Sequence, residues 1–282
     1  MPKKRIWANW PKRIANELNI VSGIAGVGAA AVGIAGLSLF DGWVRLITST
    51  FGLFVFVITL GLAIYRSFPV PAQYASDLVG KVLSVRDLSD IYPTPIKFAI
   101  VGPSMSGKTT LRNRLSFVAT VPTRTQSVIA QIIALQTAPP KLIAILDGGG
   151  EKLAQQFDLA EYCDYLCLLI DHNSSDVDIK VDQGRLQQHA EFLKQIRHFL
   201  DENEIPTKIS IRILLNKRDL WERASQPDLD ILKRFQEDEL RYWKEGSRGR
   251  DIAVQPHSND ITEDVSSFVD YLKNCAVGHS HA

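Results

Sequence analysis

The sequence predicts an α/β protein: a six-stranded, mostly parallel sheet with helices on both faces, preceded by a hairpin of two transmembrane helices. Three observations predict it. Two long uncharged runs stand near the N-terminus, short apolar runs alternate with helical patterns after residue 95, and a glycine-rich loop joins the first of those short runs to a helix.

A chain of 282 residues, 45% apolar and 22% charged, has the composition of a packed core, which argues against wholesale disorder. Its formal charge of +1 hides an asymmetry, because Lys3, Lys4, Arg5, Lys12 and Arg13 face only Glu17 in the first 19 residues. From residue 98 onward there are 22 basic and 26 acidic side chains, a net of −4. Binding nucleic acid needs a basic face that tracks phosphates, so that class is disfavoured and the expected partner is a protein effector or receptor. Cys163, Cys167 and Cys275 are odd in number and follow no metal spacing, the pattern of reduced thiols. The His279 and His281 tail is too short to make a metal site.

Residues 20–40 carry no charge across 21 positions, and residues 46–65 are equally uncharged. At 1.5 Å per residue each is long enough to span about 30 Å of hydrocarbon. Asp41, Gly42, Trp43, Val44 and Arg45 make a short connection with an aromatic residue at the interface. The alternative for one such run is a buried core helix and, for the first run, a cleaved signal peptide; two in succession favour a hairpin in the lipid bilayer. The basic N-terminus with Trp7 and Trp10 then stays cytoplasmic, and the hairpin returns the following domain to the cytoplasm, giving an integral, two-pass protein. Ala25, Ala29 and Gly33 fall four apart, a small-residue face that packs either on the second helix or on another copy in a homo-oligomer.

The expected organisation is a basic N-terminus over 1–19, the hairpin over 20–65, a connector over 66–95, a nucleotide domain over 96–274 and a tail over 275–282. In the connector, prolines at 69, 71, 93 and 95 stop regular structure at both ends. Between them Leu78, Val82, Val85 and Leu88 recur at helical intervals, so 72–91 reads as an amphipathic surface helix or as a plain spacer.

The apolar run 96–101 leads into Gly102-Pro103-Ser104-Met105-Ser106-Gly107-Lys108-Thr109-Thr110, which opens a helical pattern through Leu111 and Leu115. Strand, phosphate loop and helix stand in the required order. Glycines let backbone amides curl around phosphates, Lys108 reaches the β and γ oxygens, and Thr109 offers a hydroxyl to magnesium. Average composition produces this pattern by chance in roughly one chain of this length in a hundred. A second run, 142–146, ends at Asp147-Gly148-Gly149-Gly150, where the aspartate is placed for magnesium and the Gly150 amide for the γ-phosphate. Asp77-Leu78-Val79-Gly80 has the same spacing but follows no strand and precedes the phosphate loop. A third run, 209–215, ends at Asn216-Lys217-Arg218-Asp219. A carboxylate at Asp219 accepts two hydrogen bonds from guanine N1 and N2, which adenine does not offer, while Lys217 lies along the base and Asn216 braces the loop. This tetrapeptide arises by chance in roughly one such chain in twenty-five.

Three elements in this order, each after an apolar strand, resemble the Ras-like P-loop GTPase superfamily over residues 96–274. The resemblance implies GTP or GDP and Mg2+ as cofactors, bound by Gly102 to Thr110, Gly150, Asn216, Lys217 and Asp219, with Thr109 and Asp147 on the metal. Residues 120–127 look like switch I, which implies that Thr125 or Thr123 contributes to magnesium and γ-phosphate. The Thr123 and Thr125 pair, the expected anchor and Ala190-Glu191-Phe192-Leu193 are similar to the signal recognition particle receptor β subunit.

Two departures limit the likeness. The residue after Gly150 is Glu151, where the superfamily usually has a glutamine that orients water. A carboxylate can serve as a base, but its charge beside the γ-phosphate disfavours efficient hydrolysis. Arg124 is the candidate arginine finger, against the plainer reading of a solvated charge. His257-Ser258-Asn259 stands where the last guanine element usually reads Ser-Ala-Lys, with Ser258 as the aligned residue.

The strands are expected at 96–101, 128–136, 142–146, 165–170, 209–215 and 252–255, with Pro139-Pro140 turning between the second and third, and with helices notably at 183–200 and 229–243. Nucleotide then sits at the carboxyl ends of the strands. The expected function is a membrane-anchored switch in which GTP orders segments near Thr125 and Gly150 and recruits a protein partner, with slow or partner-assisted hydrolysis. The alternative is a receptor or assembly subunit that holds GTP without turning it over, and an ATP-driven membrane machine is disfavoured by Asp219.

Overall fold

The computed structural model describes residues 10, 42–67, 73–116, 128–149, 152–203, 210–246 and 249–278. The chain forms two compact units, Met1–Gln73 and Tyr74–Ala282. In the first, helix α1 is Gly42–Ser67, 26 residues long, with Arg66 in its last turn. Among the described residues no helix is long and apolar enough to cross a membrane. That finding overturns the expected transmembrane hairpin and the integral, two-pass placement inferred from it. Freedom from charge is a weaker condition than sustained apolarity, and Thr48, Ser49, Thr50, Gly52, Thr59 and Gly61 interrupt the 46–65 run. The 20–40 run lies outside the described residues.

Among the described residues the strands are β1 (Gln73–Tyr74), β2 (Val82–Ser84), β3 (Ile91–Tyr92), β4 (Ile96–Val101), β5 (Ile129–Leu135), β6 (Lys141–Asp147), β7 (Tyr165–Asp171), β8 (Ser210–Asn216) and β9 (Ile252–Pro256). Seven of them form one sheet in the order β2-β5-β6-β4-β7-β8-β9. Pairs β4–β6, β4–β7, β7–β8 and β8–β9 are parallel, whereas β5 runs antiparallel to both β6 and β2. The six expected strands are all present, and β2 adds a seventh at the edge.

The segment that supplies β2 is not an amphipathic helix. Ala75–Leu78 and Val85–Asp90 are tight 3-10 turns on either side of β2. Ala75, Leu78, Leu88 and Ile91 are buried while Val79 and Val82 are exposed, so no single helical stripe faces inward. Burial at intervals of three suits a 3-10 turn, in which residues i and i+3 eclipse. Gly80, at φ 79°, donates its amide to the Ile132 carbonyl at 2.8 Å and fastens the segment to β5.

Each central strand is apolar on both sides because helices cover both faces of the sheet. Ala99, Val101, Leu166, Leu168, Ile170, Ile211, Ile213 and Leu215 point into one core layer, and Phe98, Ile100, Ile145, Cys167, Leu169 and Leu214 into the other. The first layer is closed by helices α3 (Leu153–Tyr162), α4 (Gln183–Glu202) and α6 (Gln226–Glu245) through Leu159, Leu193, Ile196, Leu232 and Trp243. The second is closed by α2 (Lys108–Leu115) and α7 (Thr262–Gly278) through Leu111, Leu115, Phe268 and Leu272. A short helix, α5 (Arg218–Trp221), follows β8. Local chemistry starts the long helices. The Asp182 side chain caps α4 by accepting from the Arg185 amide at 3.1 Å, and Pro227 occupies the first turn of α6.

Burial pushes the Cys163 thiol up to about 12 and raises Cys167 as well, so both behave as small core side chains. In the second layer Phe98 meets Phe268 edge-on at 5.6 Å and stacks on Tyr165 at 6.4 Å. Phe98→Ala is therefore expected to cost about 3–5 kcal/mol, read as a shift of the urea unfolding midpoint.

Candidate functional site

The phosphate loop runs from the end of β4 to the start of α2, and its two glycines are required by geometry. A Cβ on Gly102 would lie 2.1 Å from the Leu169 carbonyl oxygen of β7. Gly107 has φ 94°, and a Cβ there would lie 2.4 Å from the Asn216 amide nitrogen and 2.7 Å from that of Asn259. Met105 also has a positive φ of 67°, and its side chain is exposed. Alternating left-handed residues turn successive backbone amides toward one concavity, the form of an anion nest at a helix start. Ser106 is fully buried, and its hydroxyl donates to the Pro103 carbonyl at 3.0 Å. Lys108 is buried too, donating from Nζ to the same carbonyl at 2.7 Å. Burial lowers its ammonium to about 8; Asp147 opposes that shift and Arg185 adds to it.

Asp147, at the end of β6, is wholly buried. Its Oδ2 lies 3.3 Å from Thr109 Oγ1 and 3.1 Å from an Arg112 guanidinium nitrogen. The resemblance implies a magnesium ion here. Thr109 and Asp147 fit it, because a hydroxyl and a carboxylate beside a phosphate loop are the hard oxygen donors that such an ion takes.

The segment 216–219 closes the other side. Asn216 donates from its side chain to the Ser106 carbonyl at 2.9 Å and accepts from the Asn259 amide at 3.2 Å, and Asn259 donates to the Gly107 carbonyl at 3.0 Å. Lys217, at φ 62°, donates to the carbonyls of Asn173 at 2.8 Å and Ser175 at 3.0 Å. Asp219 accepts from the Ser258 hydroxyl at 2.5 Å, and the Ser258 amide donates to Asp264 at 2.8 Å. Ser258 thus stands against the Asp219 carboxylate.

The structure brings together Gly102 to Thr110, Asp147, Asn216, Lys217, Asp219 and Ser258 at the carboxyl ends of β4, β6, β8 and β9. Thr123, Arg124, Thr125, Gly150 and Glu151 lie outside the described residues.

Several contributors escaped sequence reasoning. Asp171, at the end of β7, is buried, and its Oδ1 accepts from Arg185 at 2.7 Å and from His189 at 2.6 Å while its Oδ2 lies 3.1 Å from Lys217 Nζ. Arg185 also donates to the Ser104 carbonyl in the phosphate loop at 2.7 Å. Burial alone would raise Asp171, but hydrogen bonds from His189 and Arg185, with Lys217 beside it, hold the carboxyl at about 2. Gln156 accepts from the Gly102 amide at 2.8 Å and donates to the carbonyls of Gly102 at 3.1 Å and Gly149 at 3.0 Å. Asp171 had a usable signal, a carboxylate at the end of an apolar strand; Arg112, Gln156 and Arg185 sit inside helical patterns and had none.

The Asp171 carboxyl is depressed from 3.8 to about 2 in the folded state. Its stabilisation is therefore present above the unfolded value, near pH 4, and is lost as pH falls through about 2. Asp171→Asn should flatten the loss of stability across that window. At pH 7 it should cost about 3–5 kcal/mol, because Arg185 and Lys217 lose their buried counter-ion. Urea unfolding at a series of pH values measures both effects.

The model of the family described as signal recognition particle receptor beta subunit matches residues 94–266. No curated protein matches the sequence. Among solved structures, Roco2 RocCORdC of Methanosarcina barkeri bound to GDP matches at 17% identity and a TM-score of 0.45, covering 65% of this chain. A point variant of SsGBP matches at 19% identity and a TM-score of 0.44, covering 66% of this chain. The chain spans 49% and 56% of those two structures.

Proposed function

This chain belongs to the signal recognition particle receptor beta subunit family, and on that premise we propose that it is a guanine-nucleotide-dependent switch that recruits a protein partner. The observation that carries the reading is the Asp219–Ser258 pair at 2.5 Å, joined through Asn216 and Asn259 to the phosphate loop. Base selection and phosphate binding thereby share one set of hydrogen bonds. Gly102 to Thr110 wrap the phosphates with backbone amides, Lys108 meets the β and γ oxygens, Lys217 lies along the base, and Asp219 accepts from guanine N1 and N2. A magnesium ion on Thr109 and Asp147, completed by Thr125, would neutralise charge on the β and γ oxygens. In this reading the Gly150 amide would meet the γ-phosphate, and the segments near Thr125 and Gly150 would distinguish GTP from GDP.

Hydrolysis is slow or partner-assisted in this reading, because a carboxylate at position 151, where the superfamily usually has a glutamine, would set negative charge beside the γ-phosphate. The same residue favours the second reading, a receptor subunit that holds GTP without turnover. Single-turnover phosphate release from the GTP-loaded chain, compared with Lys108→Ala, separates the two.

Binding itself is tested by base specificity. Asp219→Asn exchanges an acceptor for an amide that can donate to the 2-carbonyl of xanthine. The variant should lose about a hundredfold in GDP affinity and gain affinity for XDP, measured by equilibrium titration. Unchanged GDP affinity, or a wild-type preference for ADP, rejects the guanine assignment.

A further inference from the structure

We propose that Arg112 acts as an internal counter-charge for Asp147 and so makes nucleotide binding in this chain largely independent of a divalent cation. The inference rests on the guanine-nucleotide reading above and concerns one residue to which that reading gives no role.

Arg112 lies on α2, three residues after Thr109. Its side chain is 13% exposed, and one guanidinium nitrogen stands 3.1 Å from Oδ2 of the fully buried Asp147. The other nitrogen donates to the Asn113 side chain at 3.0 Å. The guanidinium is thus oriented from two directions and is not a swinging surface charge. Asp147 Oδ2 is also the oxygen nearest Thr109 Oγ1, at 3.3 Å. One carboxylate oxygen therefore faces both the hydroxyl that suits a metal and a fixed organic cation.

Elementary electrostatics gives this pairing two effects. A carboxylate already paired with a guanidinium offers less negative potential to a divalent ion, and the guanidinium itself repels that ion, most strongly where burial lowers the dielectric. Magnesium sheds water reluctantly and is held by few protein carboxylates, so weakening one of them matters. In the other direction, Arg112 balances the Asp147 charge that would otherwise repel phosphate, and Lys108 brings a positive charge to the first turn of α2, without any ion. Phosphate charge that a metal would offset is offset in part by the protein.

The test is equilibrium titration of the purified full chain with N-methylanthraniloyl-GDP, in excess Mg2+ and in EDTA, for wild type, Arg112→Leu and Arg112→Gln. The quantity read is the ratio of Kd values in the two buffers for each protein, so a general loss of affinity in a variant cancels. Wild type should weaken by less than about fivefold on cation removal, and the variants by more than about fiftyfold, a separation of at least one decade. Equal ratios in all three proteins overturn the role of Arg112 while leaving guanine binding intact. A wild-type ratio above about fiftyfold overturns it whether or not the variants fold. Absence of binding by wild type in both buffers rejects the nucleotide reading and this inference together.

Discussion

The site depends on one buried carboxylate, Asp171, at the carboxyl end of β7. Because β7 lies between β4 and β8 in the sheet, its end falls between the phosphate loop and the guanine loop. Arg185 carries the connection one way, to the Ser104 carbonyl, and Lys217 carries it the other way. A charge buried this completely persists only when paired and hydrogen-bonded, and here three donors converge on it. Their convergence makes the two recognition loops share a counter-ion. A shift of either loop breaks an ionic contact to Asp171.

Neutral hydrogen bonds add direction to that ionic centre. Asn216 and Asn259 bond to the carbonyls of Ser106 and Gly107, so the guanine side grips the backbone that turns amides toward phosphate. Gly107 must lack a side chain for this approach, since a Cβ would collide with both asparagine amides. On the opposite side Gln156 uses both ends of its amide on Gly102 and a third bond on Gly149. Loops from β4, β6, β8 and β9 are thus bonded to one another as well as to the sheet. Nucleotide affinity in such a site reflects a framework organised before binding, which lowers the ordering cost on association.

Legibility in the sequence depended on where each residue sits. The central strands could be read because both faces of the sheet are covered, which makes each an unbroken apolar run, and the recognition motifs could be read because they stand at the ends of those runs. Val82 misled, since its spacing from Leu78 and Val85 mimics a helix although the chain there forms 3-10 turns around a short edge strand. The 46–65 run misled for a related reason: the absence of charge does not by itself make a membrane span. Arg112, Gln156 and Arg185 were invisible because a polar residue in a helical pattern reads as solvated surface until the helix docks. Their partners are backbone carbonyls and carboxylates from other elements, and no local spacing encodes those.

The loop after β6 shows how much freedom the framework leaves for a response to nucleotide. Gly148 and Gly149 by themselves would leave the backbone wide conformational freedom. Asp147, however, is held by Arg112, and Gly149 is held at its amide by Gln155 and at its carbonyl by Gln156. A rearrangement of Asp147 or Gly149 must therefore break those bonds. A ligand moves an equilibrium only by its differential affinity for the two states. Under the proposed switch, that differential has to exceed the cost of breaking these bonds or come from contacts that leave them intact.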